Sequence, residues 1–354
     1  MTPVKYFTVF TLPILAFFSV HLSGWLTFLP LFYAFGFIPL VELLFNPQNS
    51  NLSQEEESRF VQNPAFDLLL YAAAIVHFIF FAYYFIAHIP QPGDHIALVG
   101  NTVALGLMCG IFGINIAHEL GHRKNRFEQL LAKLLLLTSL YMHFTIEHNR
   151  GHHRYVATNR DPASAPRQMT LYRFWLRSVT GSFVSAWKLE NIRLSKKEKA
   201  KWLNQVMWYV VIEFLFLAVI FYLFGLVAML SFLAAATIGI LLLETVNYIE
   251  HYGLRRKQIN ELQFERVMPW HSWNSSHILG RLMLFELSRH SDHHYLASRK
   301  YQILRHHQHS PQLPTGYPGM MLLSFIPPLW FKIVHKHLAD FQQGMSQEDK
   351  QLSI

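Results

Sequence analysis

The chain has 354 residues, of which 52% are hydrophobic and only 15% charged, with a formal net charge of +8 and a single cysteine. A soluble protein carries roughly 25% charged residues, so the composition excludes an ordinary soluble enzyme. One cysteine, Cys109, excludes both a disulfide framework and a thiolate metal site, and it reads as a small buried hydrophobe.

Taken in order, the apolar residues fall into six runs, at 6–23, 25–45, 66–88, 96–117, 206–224 and 226–246. Each is close to the roughly 20 residues that cross a bilayer as a helix. The first run is followed at once by the second and has no small-residue cleavage site, so it is expected to be retained rather than removed as a signal. All but Lys5 and Arg59 of the 30 Lys and Arg residues lie in 118–201 and 247–354. Positive charge marks the cytoplasmic side, and six crossings put both of these segments there, with the amino terminus and the connection 46–64. The basic balance then needs no nucleic acid; anionic lipid or an acidic protein partner suffices. Gly106 and Gly110, four apart in the fourth run, predict a close helix crossing. The segment 311–318 reads as irregular but ordered, and 344–354 as a frayed tail. The expectation is an all-α integral membrane protein, one domain over 1–354, with six transmembrane helices and a histidine-rich cytoplasmic cap.

Nine histidines occupy four short clusters in the two basic segments: His118 and His122; His148, His152 and His153; His251; and His290, His293 and His294. Neutral imidazole offers a lone pair to a cation. A spacing of four stacks two rings on one helix face, where both can reach one metal, and His290, His293 and His294 repeat this with three and four. Neighbours in a helix diverge by roughly 100°, so the doublets 152–153 and 293–294 point to two ions. Glu119, Glu147, Glu250 and Asp292 are candidates to accept the outer ring N–H and fix the tautomer. Asn247 shares a helix face with His251 and Glu244. His306, His307 and His309, beside Pro311, lack a helical partner spacing and are left out. His77 and Glu213, inside apolar runs, are candidates to face an interior cavity; His21, His88, His95, His143, His271, His277, His335 and His337 are assigned nothing.

Nine imidazoles exceed what one closed zinc site takes. Two redox irons, each with four or five imidazoles and an open position, suit O2 activation. At the boundary between bilayer and cytoplasm such a centre suits a lipid-soluble substrate and electrons arriving from water, hence oxidation of an unactivated C–H bond. A metal transporter would instead place polar residues in mid-membrane.

Four strings carry a resemblance: His118-Glu-Leu-Gly-His122-Arg123, Glu147-His148-Asn-Arg-Gly-His152-His153, Asn247-Tyr-Ile-Glu-His251-Tyr-Gly-Leu254 and Arg289-His290-Ser-Asp-His293-His294. They resemble the membrane alkane 1-monooxygenase family of the di-iron, histidine-box superfamily, which also includes xylene monooxygenase and fatty-acyl desaturases. The Asn-Tyr-x-Glu-His-Tyr-Gly element discriminates, and Pro311 to Gly319 is similar to the family's tail. Arg123 where Lys is common, and Leu287-Ser288 where Gln usually precedes the Arg, are departures that touch no ligand. The resemblance implies two non-haem Fe ions, O2 as co-substrate and hydroxylation of a terminal methyl group to a primary alcohol, in a bacterial inner membrane. The alternatives are a xylene-type methyl hydroxylase or a fatty-acyl desaturase or hydroxylase. It also implies rubredoxin, reduced by a flavoprotein, as donor. Rubredoxin needs four cysteines, so it must be a separate protein, and Arg150, Arg154, Arg160 and Lys196 to Lys201 are placed to steer an acidic partner. A linear substrate needs a tunnel, for which Trp25, Phe28, Phe32, Phe35, Phe80 and Phe81 are candidate depth gates.

Overall fold

A computed structural model describes residues 3–87, 94–261 and 263–351. His88 lies outside them. In chain order the helices are α1 (Pro3–Ser19), α2 (Gly24–Leu44), α3 (Gln54–Gln62), α4 (Ala65–Ala87), α5 (His95–Gly121), α6 (Arg126–Leu137), α7 (144–155), α8 (Leu171–Lys196), α9 (Gln205–His251), α10 (Ile278–Met283), α11 (His290–Tyr295), α12 (Tyr317–Ser324) and α13 (Pro327–Gln351). No strand occurs among the described residues, only two isolated bridges. Residues 344–351 continue α13 rather than fraying.

Helices α2, α4, α5 and α9 are long and apolar enough to cross a membrane, and α1 is a shorter apolar helix. α9 is a hairpin rather than a rod. The Phe216 and Phe232 rings lie 5.7 Å apart, whereas 16 residues of straight helix would separate them by about 24 Å. The reversal is at Gly225, with φ +82°, a left-handed conformation that a side chain disfavours. Phe81 of α4 packs against both legs, touching Phe216 and Phe232. The first leg leaves Phe214, Leu215, Tyr222 and Leu223 exposed, a surface suited to lipid.

The second leg lies close along α5. A Cβ at Gly106 would approach Ile238 to 2.7 Å, and one at Gly239 would approach Cys109 to 2.9 Å, so only glycine permits this crossing. Cys109 itself is buried. His77 and Glu213 serve as fasteners: His77 Nε2 meets Thr138 Oγ1 at 2.8 Å, and Glu213 accepts the Met142 N–H. His77 packs against Gly113 and lines none of the cavities described below. The apolar crossing thus fixes the depth and rotation at which α5 and α9 deliver their last turns, and those turns carry His118 and His251.

Candidate metal centre

The nine histidine side chains converge from α5, α7, α9 and α11 into two adjoining groups. His118, His122, His148, His153 and His293 form one, and His152, His251, His290 and His294 the other; within each, the ligand atoms all lie within 4.8 Å of one another. The groups touch through the stacked rings of His153 and His294, whose centroids are 4.4 Å apart.

Backbone geometry decides the sorting. His118 and His122, four apart on α-helix, share a group. His148 and His152, also four apart, do not: the backbone over His148–His152 is π-helical, and its i→i+5 repeat pairs His148 with His153 instead. In α11 the spacing of four holds for His290 and His294, while His293 turns to the other group. The expectation that spacings of three and four converge on one ion is therefore corrected at both of these clusters. The adjacent rings of each doublet part, one to each group.

The donor set fits metal ions. Nε2 atoms face one another at 3.0 Å for His122–His148 and His148–His153 and at 3.1 Å for His153–His293 and His251–His290. Lone pair against lone pair becomes favourable around a shared cation. The Nε2 atoms of His118, His152 and His294 are buried without a hydrogen-bond partner, a costly state unless a ligand completes them. Burial, then neighbouring rings, hold His148, His153, His290, His293 and His294 well below the ordinary histidine value and His122 at about 4. They are neutral, as ligation requires. At His152 burial is outweighed by Asp161, whose Oδ2 lies 2.9 Å from Nδ1. Asp161 is fully buried and also accepts from Ser164 Oγ and the Ala163 N–H.

An apolar cavity opens beneath the rings, with about 880 Å³ of space between atoms, its open mouth included. Ala34, Phe35 and Ile38 of α2, Ile111 and Ile114 of α5, Leu243 of α9 and Met321 of α12 line it, and His118, His148 and His290 close its end. Both histidine groups therefore face one hydrocarbon-lined space.

The fatty acid desaturase family model matches residues 94–324, a stretch holding all nine histidines. Alkane 1-monooxygenase 2 of Alcanivorax borkumensis is 38% identical over 317 residues, 88% of this chain and 82% of its own. Alkane 1-monooxygenase 1 of Pseudomonas aeruginosa is 36% identical over 332 residues, 92% of this chain and 86% of its own. The chain belongs to the alkane 1-monooxygenase branch of the fatty acid desaturase family. The xylene/toluene monooxygenase hydroxylase component XylM of Pseudomonas putida is more distant, at 29% over 253 residues, 71% of this chain and 67% of its own.

In this alkane 1-monooxygenase-family chain the expected partners of the rings are sorted differently by the fold. Glu250 is beside them: Oε2 lies 3.1 Å from His290 Nε2, while Oε1 accepts from Tyr317 Oη at 2.8 Å. Glu147 packs over Gly151, where a Cβ would collide with Oε1; burial first and the Asp161 charge second push it up to about 8. Asn247 donates to Glu244 and lines the cavity. Glu119 accepts from Arg123 at 2.8 Å and shares a small recess with His118 and His293, while Asp292 accepts from Arg299, the Arg305 N–H and His307 Nε2. His306 and His307 stand outside both groups. Asp161 and Tyr317 were not singled out from sequence. Asp161, nine positions past His152 in an irregular stretch, shows no periodic signal; its only cue is a lone carboxylate soon after a histidine box.

Of the six candidate depth gates only Phe35 reaches the cavity. Trp25 and Phe32 are exposed, Phe28 packs between them, and Phe80 and Phe81 are buried against Phe17 and the α9 hairpin.

Proposed function

We propose that this chain is a membrane monooxygenase that hydroxylates the terminal methyl group of alkanes, using O2, two electrons and two non-haem iron ions held by its nine histidines. The observation that carries the reading is the apolar cavity ending on His118, His148 and His290, rings from both groups. Imidazole donors suit several transition metals, and the monooxygenase relatives favour iron, which when bound would supply the reductive activation of O2. The protein's own part is orientation and exclusion of water. Each buried methylene contributes about 0.8 kcal/mol, so a wall of Ile, Leu, Met and Phe holds a hydrocarbon without any polar handle and leaves its end methyl at the rings. Asp161 keeps the His152 tautomer that turns Nε2 inward.

The membrane reading is six crossings, with α1, α2, α4, α5 and both legs of α9 in the bilayer, and the histidine cap on the cytoplasmic face of a bacterial inner membrane. In support, Lys5, Gln48 and Asn51 line one polar pocket with Arg281 and Arg289, so the amino terminus and the connection 46–64 share an end of the bundle with the basic histidine segment. Electrons come from a separate rubredoxin, itself reduced by a flavoprotein. His122 and His153 are the two rings of the nine that are not fully buried, with exposed Lys124, Arg150 and Arg154 close in sequence, which favours delivery to the five-histidine group from this basic face.

The test is product analysis under isotopically labelled O2. Purified protein with iron and reduced rubredoxin is given an n-alkane, a xylene and an acyl lipid in turn. Labelled 1-alkanol as the main product supports the reading. An alkene, or turnover of acyl lipid alone, would assign the chain to desaturase-type chemistry, and turnover of xylene alone to a methylarene hydroxylase.

A further inference from the structure

A second apolar recess lies against the first. It is a groove between α2 and α12 with about 1030 Å³ of space, its open side included, floored by Pro39 and Met320 and rimmed by Leu40, Leu43 and Leu322. The three rim leucines are exposed, so the groove opens sideways onto the face that α2 turns to lipid. The two helices divide their residues between the recesses. Ala34 and Ile38 with Pro318 and Met321 face the cavity, while Pro39 and Leu40 with Met320 and Leu323 face the groove. Among the described residues Phe35 alone lines both.

The backbone at that point also departs from the α-helix. Tyr33–Phe37 is π-helical, a local departure common where a helix serves a site. A Cβ at Gly36 would meet nothing within 4 Å, so the next position along the helix is itself open. One half-buried aromatic ring lines both the lipid-facing groove and the cavity beneath the histidines.

We propose that the hydrocarbon substrate passes laterally from the bilayer into the groove between α2 and α12, and that the Phe35 side chain is the gate admitting it to the cavity. A long alkane dissolves in the bilayer rather than in water, so a sideways route spares it the aqueous face where the rings and their charged surroundings lie. The occupant follows from continuity: the groove is apolar but for Thr315 and joins a cavity of the same character at one residue. The proposal rests on the reading of that cavity as the alkane site and adds the route and its control.

Two measurements on the full-length protein in lipid nanodiscs test it. The first is photolabelling with a long alkane bearing a terminal diazirine, which needs no turnover. Label is expected on peptides covering 35–43 and 319–323, and label confined to other lipid-facing helices overturns the proposal. The second is steady-state hydroxylation of hexadecane. Leu40→Trp, which fills the groove without lining the cavity, is expected to lower kcat/KM about fivefold or more while kcat at saturating alkane holds, the mark of slowed access rather than altered chemistry. Adding Phe35→Ala to Leu40→Trp should recover part of the loss, and Phe37→Trp, on a residue that lines neither recess, should change nothing. Unchanged kcat/KM in Leu40→Trp contradicts the route. If the wild type makes no alcohol yet the groove is labelled, the alkane reading fails and the route stands; alcohol formation with an unlabelled groove is the reverse. Should Phe35→Ala fail to fold, Phe35→Leu and the labelling decide.

Discussion

Asp161 and His152 form a fully buried pair, with carboxylate Oδ2 2.9 Å from ring Nδ1. A carboxylate there holds the proton on Nδ1 and leaves the Nε2 lone pair for the centre, where Nε2 has no hydrogen-bond partner. Replacing such a partner typically costs 10- to 100-fold in metal affinity. Asp161→Asn should therefore lower iron affinity by about that factor, read as metal retained during titration with a chelator. Ser164→Ala, which removes one donor to Asp161, should have a smaller effect in the same direction. Wild-type retention in Asp161→Asn would show that the pair does not orient the ring.

The cavity makes a prediction about chain length. Met321→Ala and Ile111→Ala enlarge its wall and should shift the optimum to longer alkanes, whereas Leu243→Phe should shift it to shorter ones. Discrimination should be modest, about 1–3 kcal/mol per methylene, seen as ratios of kcat/KM across a graded series. Trp25→Ala and Phe80→Ala, outside the cavity, should leave the profile in place. A profile that moves with Trp25 but not with Met321 would put the substrate elsewhere.

Much of this arrangement was legible in sequence. The apolar runs mark the helices because a bilayer-crossing helix leaves a long unmistakable signal, and Gly106 and Gly110 announced the α5–α9 crossing. The nine histidines that converge are the nine whose clusters stand out. The sorting into groups was not legible. It depends on the π-helical turn at His148–His152, and periodicity presumes an α-helix. The partners of Glu119 and Asp292 were hidden for a different reason: they come from Arg123, Arg299 and His307, and only tertiary packing decides which of two nearby groups a carboxylate meets. The reversal in α9, by contrast, was legible, because the break between the apolar runs 206–224 and 226–246 falls on Gly225. The cavity wall escaped because aromatic bulk is no guide to direction, and of the six bulky candidates only Phe35 lines the cavity.

Electron delivery should depend on ionic strength. His122 and His153 approach the surface beside exposed Lys124, Arg150 and Arg154, so an acidic donor would be steered there. The Debye length falls from about 8 Å at physiological salt to about 3 Å at 1 M, and turnover at limiting rubredoxin should fall with added salt through slower association. Arg150→Glu with Arg154→Glu should reduce the rate and flatten the salt dependence. A rate indifferent to salt in the wild type would leave the basic face to membrane orientation alone.

A pair of irons divided between five and four imidazoles would be read most plainly by iron stoichiometry with Mössbauer spectroscopy on purified protein and single-histidine variants. About two irons per chain are expected in the wild type, in two histidine environments that follow from the separate groups. His251→Ala should lose the four-histidine site and His122→Ala should weaken the five-histidine site, each reducing iron content and abolishing hydroxylation, while His307→Ala keeps both ions. Full activity with one iron per chain or with zinc alone, or unchanged iron and activity in His251→Ala, would rule out the paired-iron centre.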